Sequence, residues 1–503
     1  MTRNRIIKPI LLTLAVAVFF SSCARGNPHH SGKATELSYG FTTEPSTFDP
    51  LNPANTADGR SILFNVFEGL VKPDSSGSLL PCIAESWEIG QDGLVYDFTL
   101  RENVFFHDGS TVSSADVKFS LDTAVTAGLN GLSIIKETEI INDNRVRITL
   151  KSPDPEFLPY LTIAVVKAGN NEREKNITGT GPFFIESYSI QQNLVLRKFS
   201  NYWQKDLPYL EKVTIVFFAN NDSLMLAFRG GSIDAASITG SMAAQLDRGN
   251  FDIITNYSAS VQLMALNNAA PPFNDVRVRR AVNHAVDAQG IINAAFFGVG
   301  EPSASPIIPG LTHFYDDSIQ YQYDPSIARQ LLAQAGFSDE LKLSLEITVP
   351  SNYTQHVDTA QVIVNQLAGC GIDASIKLVD WATWLSDVYR GRNYQATVVS
   401  LDSHIISPRG FLGRYRTGNS GNFMNFSSAE FDRIYEAVLA ETDEAQRVRL
   451  YRQAQRVIVS EAAGVYIQDI LYYKAFRGGA FDGVLNYPLY TIDFAAIYGK
   501  QKN

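Results

Sequence analysis

The run Ala84–Leu121 (AESWEIGQDGLVYDFTLRENVFFHDGSTVSSADVKFSL) constrains the fold of this chain more than any other segment. Within it Tyr96, Phe98 and Leu100 alternate with Val95, Asp97, Thr99 and Arg101, the period-2 pattern of a half-buried strand. His107-Asp108-Gly109 is a turn signal. Ser113 or Ser114 can cap a helix whose first turn holds Asp116, with Val117, Phe119 and Leu121 following.

The same alternation of strand and helix signals continues along the chain. Glu36–Phe41 reads as a strand broken by the turn at Glu44-Pro45, and Ser61–Leu70 as a helix burying Ile62, Leu63, Val66, Phe67 and Leu70. Val146–Leu150 and Val213–Phe217 are strands, and a helix from Ser223 ends at Gly230-Gly231. Asp324-Pro325 caps a helix closed by Gly336. The strand Leu343–Val349 is followed by an amphipathic helix ending at Cys370, and by the strand Ile372–Val379. Thr442-Asp443-Glu444 caps a helix with Leu450, Ala454, Val457 and Ile458 on one face, and Val465–Tyr473 returns as a strand. Such alternation predicts mixed α/β sheets with crossovers. A length of 503 residues is too great for one core, so two or three domains are expected.

Residues 1–22 have the form of a secretory signal: Arg3, Arg5 and Lys8 precede an apolar stretch from Ile10 to Phe20 that is too short to span a bilayer. Phe20-Ser21-Ser22-Cys23 resembles a bacterial lipobox, in which Cys23 takes a diacylglycerol thioether and becomes the mature N-terminus. Gly26–Ala34 reads as a polar tether. The net charge is −10, and losing residues 1–22 makes it three units more negative. With no long basic run or Arg-aromatic cluster, nucleic acid is not an expected partner. Cys82 and Cys370 each sit in an apolar setting and read as buried thiols, neither a disulfide pair nor metal ligands.

No G-x-S-x-G, H-E-x-x-H, Walker sequence or Cys/His cluster is present, so no enzyme chemistry, metal or cofactor is expected. Thr178-Gly179-Thr180-Gly181-Pro182-Phe183 lacks the GK[ST] of a phosphate loop and reads as a tight turn feeding a strand. His284, set among Ala281, Val282, Ala285 and Val286, reads as structural.

The order of signals in Ala84–Leu121 resembles the signature of the family 5 extracellular solute-binding proteins, the dipeptide, oligopeptide and nickel receptors of ABC importers. Four further segments match the family: Gly179–Phe183, Asn201-Tyr202-Trp203, Gly231-Ser232-Ile233-Asp234 and Phe273–Asp287. The likeness runs from about Glu36 to Ile497. It implies an α/β, two-lobed periplasmic binding protein fold of class II with an extra subdomain in lobe I. Lobe I would comprise 36–261 and 473–503, with the subdomain at about 72–180. Lobe II would comprise 262–472, and 23–35 would be a lipidated tether. It also implies a ligand held between the lobes, permease and ATPase subunits as partners, a periplasmic or cell-surface location, and a monomer.

The resemblance places the turn at Glu44 and the stretch from Trp381 to Tyr415 against the ligand. Trp381 offers a flat apolar wall with one donor. In peptide-binding relatives an acid four residues before a proline pairs with the peptide ammonium. Here His404 stands in that position before Pro408, and Asp402 lies two residues earlier. Asp402 can serve a peptide amine, while His404 can serve an anionic or metal-chelated ligand. Arg409, Arg414 and Arg416 can hold carboxylates of a peptide or a chelator. Short-peptide capture is the expectation, with a nickel-type chelate receptor as the alternative and a secreted hydrolase behind both.

Overall fold

The structure is a computed structural model that describes residues 34–500 apart from 53–54, 76, 130, 258–259, 319, 404–406 and 488–489. The expected signal segment, Cys23, most of the tether and His404 lie outside the described residues.

The alternation in Ala84–Leu121 becomes the strand Val95–Leu100, with Tyr96, Phe98 and Leu100 buried. Each such side chain contributes roughly 1.5–3 kcal/mol by leaving water. The strand lies between Ala84–Ile89 and Arg145–Leu150 in an antiparallel sheet completed by Ile135–Asn142. Ser113 is the N-cap of the helix Ser114–Thr126, and one Asp116 carboxylate oxygen accepts from Ser113 N at 2.8 Å and Ser113 Oγ at 2.7 Å. The other accepts from Ala168 N at 2.7 Å, so one carboxylate fixes both the helix start and a distant loop. Val117, Leu121 and Ala124 turn this helix into the core that the sheet faces.

Two larger sheets carry the rest. The seven-stranded sheet runs Phe251–Asn256, Tyr472–Arg477, Ala235–Ile238, Glu36–Phe41, Lys212–Phe217, Asn193–Lys198, Phe183–Ser189. Glu36–Phe41 pairs in parallel with both neighbours and the remaining pairs are antiparallel. The six-stranded sheet runs Glu301–Pro302, Gly464–Asp469, Ser260–Leu266, Ala396–Asp402, Ser344–Pro350, Asp373–Val379. Its central strand Ser260–Leu266 is almost wholly buried and apolar, as a strand covered on both faces must be. Each of these two sheets has its own buried core, and each builds one lobe.

The chain passes between the sheets twice: once between Asn256 and Ser260, and once at Ile470–Leu471. The second passage corrects the single strand expected over Val465–Tyr473. The run divides into Gly464–Asp469 in one sheet and Tyr472–Arg477 in the other. Both halves are largely buried and the residues at the break, Ile470 and Leu471, are apolar, so only Asp469 before them marks it.

The helix expected over Ser61–Leu70 spans Ala57–Leu63 instead, with Thr56 Oγ1 accepting from Gly59 N at 3.0 Å. It stops because the next carbonyls serve another segment. Val66 O accepts from Gly181 N at 2.9 Å, and Asn65 O from Phe183 N at 3.1 Å. Gly179 and Gly181 lie so close to this backbone that a Cβ would stand 2.0 Å from Val66 O and 2.6 Å from Asn65 O respectively, which is why the turn is glycine-rich. His107 pins the same turn: its Nε2–H donates to Gly181 O at 3.0 Å and its Nδ1 accepts from Gly179 N at 3.3 Å. His284 Nδ1 meets Gln322 O at 2.8 Å, a structural contact. Cys82 and Cys370 are buried free thiols.

Candidate functional site

A cavity of about 1010 Å³ is lined by both lobes. The seven-stranded side supplies Phe41, the helix bearing Asp58 and Arg60, the segment Phe67–Pro73, Ser237–Ser241 and the tail Tyr490–Ala495. The six-stranded side supplies Ala295–Phe297, Tyr353–His356, Asp358, Trp381 and Val399–Ser403, and both passages between sheets reach it through Ser260 and Ile470–Tyr472. The volume is at the upper end of that of small-molecule sites.

Trp381 and Asp402 line this cleft together. Asp380 caps the turn that presents Trp381, accepting from Thr383 N at 3.0 Å and Thr383 Oγ1 at 2.7 Å, and these bonds hold its carboxyl below the usual range. The Trp381 indole lies parallel to that of Trp384, 4.9 Å between centroids, with Tyr353 edge-on at 5.3 Å. Asp402 is exposed at the end of the strand Ala396–Asp402, where Arg414 Nη2 donates to its carbonyl at 2.7 Å.

Glu44 and Arg416, also expected at the ligand, are not among the residues that line the cleft. The Glu44 carboxylate accepts from Tyr188 Oη at 3.0 Å and Gln191 N at 2.6 Å and ties down the turn after the first strand. Arg416 pairs with Glu436 and lies over the Tyr435 ring. His404 falls outside the described residues.

Several cleft residues went unread in the sequence. Arg60 is exposed in the cleft; enclosure lowers its pKa, and the nearby Asp402 carboxylate opposes that lowering. Glu68 is buried, and its carboxylate accepts from Tyr202 Oη at 2.7 Å and Trp203 Nε1 at 3.0 Å, which explains the Asn-Tyr-Trp motif. Burial pushes the Glu68 carboxyl up, against the pull of Lys72 and these donors. Burial likewise disfavours the Lys72 ammonium, but Glu68 together with Cys82 and Asp493 outweighs it and raises its pKa. An acid and a lysine set in the otherwise largely apolar run Ile62–Pro73 were the signal that could have found this pair. Asp58 accepts from Tyr490 Oη, and burial raises its pKa. His356 is buried, receives Gln262 Nε2 on Nδ1 at 3.0 Å, and is driven by burial down to about 4, so it is neutral.

A second contact joins the lobes away from the cleft. Arg409 bonds Asp154 and lies over the Tyr160 ring at 5.9 Å. Ser407 Oγ donates to Glu156, and Arg447 Nε stands 3.6 Å from the same carboxylate. Burial raises the Glu156 carboxyl, opposed by Ser407, Tyr451 and the two arginines. Burial also disfavours the Arg409 cation, but Asp154 together with Tyr160 and Tyr435 more than restores it.

The comparisons with known proteins agree with this architecture. Residues 78–423 match the model of the bacterial extracellular solute-binding proteins, family 5, middle region. The sequence is 26% identical to heme-binding protein A of Haemophilus influenzae over 95% of this chain and all of that one. It is 28% identical to the glutathione-binding protein of Salmonella paratyphi A over 83% of this chain and 85% of that one. The solved structure of the binding protein AgaA of A. tumefaciens R10 in complex with agropinic acid superposes with a TM-score of 0.76 at 27% identity, covering 93% of this chain and 99% of that one. With two lobes around one cleft and a family match over most of its length, this chain belongs to the family 5 bacterial extracellular solute-binding proteins, the substrate-binding components of ABC importers.

Proposed function

We propose that the protein captures short peptides in the interlobe cleft and delivers them, chemically unchanged, to a membrane permease powered by a separate ATPase. The observation that carries this reading is the charge pattern of the lining. Its solvent-exposed charges are the carboxyls of Asp358 and Asp402 and the single cation Arg60, while Asp58, Glu68 and Asp493 are buried and Glu68 is matched by Lys72. Such a surface favours a ligand that brings an ammonium over one that brings only carboxylates. Asp402 and Asp358 are exposed on one lobe and Arg60 on the other. A zwitterion lying across the cleft meets Asp402 with its ammonium and Arg60 with its carboxylate. It thereby adds an attraction between the lobes that neither end supplies alone. Among the relatives, the glutathione-binding protein is named for a tripeptide, which suits this polarity.

Closure would turn on the two passages between the sheets, between Asn256 and Ser260 and at Ile470–Leu471, within a few residues of the bounds expected for lobe I (36–261 and 473–503) and lobe II (262–472). A lipid on Cys23 would hold the monomer at the membrane surface, in the periplasm or outside the cell.

Calorimetry of the purified protein with di- to pentapeptides, and separately with nickel plus histidine, tests the reading. Heat with peptides, lost in Asp402→Asn, is the expected result. Heat with the chelate and none with any peptide reverses it in favour of a metal-chelate receptor. Peptides recovered cut, by mass spectrometry, would instead make the protein a hydrolase.

A further inference from the structure

Resting on the peptide reading, we infer that the cleft contains a side-chain subsite selecting peptides with an aromatic residue, built from Trp381, Tyr353 and Phe297 on lobe II. Three observations converge on it. First, the Trp381–Trp384 stack is anchored from beneath. Trp384 is buried, its Nε1 donates to Thr397 Oγ1 at 2.9 Å, and Phe423 packs edge-on at 5.9 Å. The 4° angle between the two indoles commits one face of Trp381 to Trp384, while the ring lines the cleft and stays 36% exposed. A flat apolar surface is thus held rigid at the ligand boundary, and a bound ring loses little further freedom in stacking on it.

Second, Phe297 also lines the cleft and is 66% exposed, at a backbone φ of +57°. A bulky residue in the left-handed region costs free energy, and such positions persist where the surrounding structure fixes them. The helix Ala288–Ala295 ends just before it, and Gly298 N returns to Ile292 O at 3.0 Å, which turns the chain at Phe297. A large apolar ring kept in water at a binding surface is the arrangement that gains most when a second ring covers it. Third, the cation that would take a ligand carboxylate, Arg60, comes from the opposite lobe, as do Asp58, Glu68 and Lys72, while the lobe that carries the rings adds Phe296 and Val399 to the apolar lining along with Asp358 and Asp402. A ligand carboxylate and an aromatic side chain therefore have separate places to go.

The test compares Ala-Ala-Ala with Ala-Phe-Ala by calorimetry on the intact protein, in wild type, Trp381→Ala and Phe297→Ala, with thermal melting to confirm folding. Wild type is expected to bind Ala-Phe-Ala at least tenfold more tightly, and each substitution to reduce that ratio to below threefold. Phe297→Ala removes only an exposed ring, so the question survives even if Trp381→Ala does not fold. Equal affinity of wild type for the two peptides, or a ratio kept in Phe297→Ala and in a folded Trp381→Ala, overturns the subsite and leaves peptide capture standing. Silence with every peptide overturns both.

Discussion

Two regions join the lobes, and they use charge in opposite ways. In the cleft, Arg60, Asp358 and Asp402 are exposed around a cavity of about 1010 Å³. In the contact at Asp154 and Glu156, the charges are enclosed: the side chains of Asp154 and Arg409 are 3% and 22% exposed, and those of Glu156 and Arg447 are 9% and 13%. A charge at the exposed cleft surface stands where a ligand can reach it, so its removal should register in affinity. A charge in the dry contact has already lost its water and depends on its partner, so its removal should register in stability. The same residue types thus serve recognition in one place and cohesion in the other.

The largest test of this contrast is Arg409→Met. It leaves Asp154 buried without its counter-charge and should lower stability by about 3–5 kcal/mol in urea unfolding. Asp154→Asn in the same chain should recover most of that loss. If the double variant is no more stable than the single, Arg409 acts through packing over Tyr160 rather than through charge.

Next in size is the pH response. Burial holds both His107 and His356 down to about 4. Their ordinary value is about 6.5, so between those limits the unfolded chain binds protons that the folded chain refuses. Stability should be undiminished above pH 6.5 and fall as the pH drops towards 4, by up to about 3 kcal/mol for each histidine. His356→Gln, in the cleft wall but buried, should remove about half of that slope. Parallel pH profiles in wild type and variant would contradict the assignment.

Asp402→Asn should weaken peptide binding by roughly 10- to 100-fold, as loss of a charge-assisted pair implies, while the urea midpoint moves little. A large shift in that midpoint would erase the distinction between the two regions. The smallest effect belongs to Arg416→Ala. Its bond to Glu436 is at the surface, and the change should cost about 0–1 kcal/mol in thermal melting.

Much of the fold was legible because its signals are local. Asp324 and Asp443 cap their helices through bonds to residues two and three positions on, and Gly231 and Gly336 close theirs with positive φ. Of the expected site, Trp381 and Asp402 are in the cleft lining, since Trp381 follows the strand Asp373–Val379, Asp402 ends the strand Ala396–Asp402, and both strands run parallel to Ser344–Pro350 and so end on the same side of the sheet. Arg60 was missed because nothing near it in the chain marks it. Its neighbour Asp402 lies in the other lobe, at the end of a strand whose place depends on pairing with Ser260–Leu266. Glu44 shows the converse, a residue in a segment expected at the ligand whose carboxylate instead secures a turn.

By itself, then, the order of residues determined where strands and helices form and which of their faces are apolar, because turn residues, caps and periodicity act over a few positions. Only the tertiary structure decided that Val465–Tyr473 divides between two sheets, that Asp402 shares a cleft with Arg60, and that Asp154 and Arg409 bury one another. Those outcomes depend on burial and Coulomb energy between groups hundreds of positions apart, which come into being only when the chain has folded.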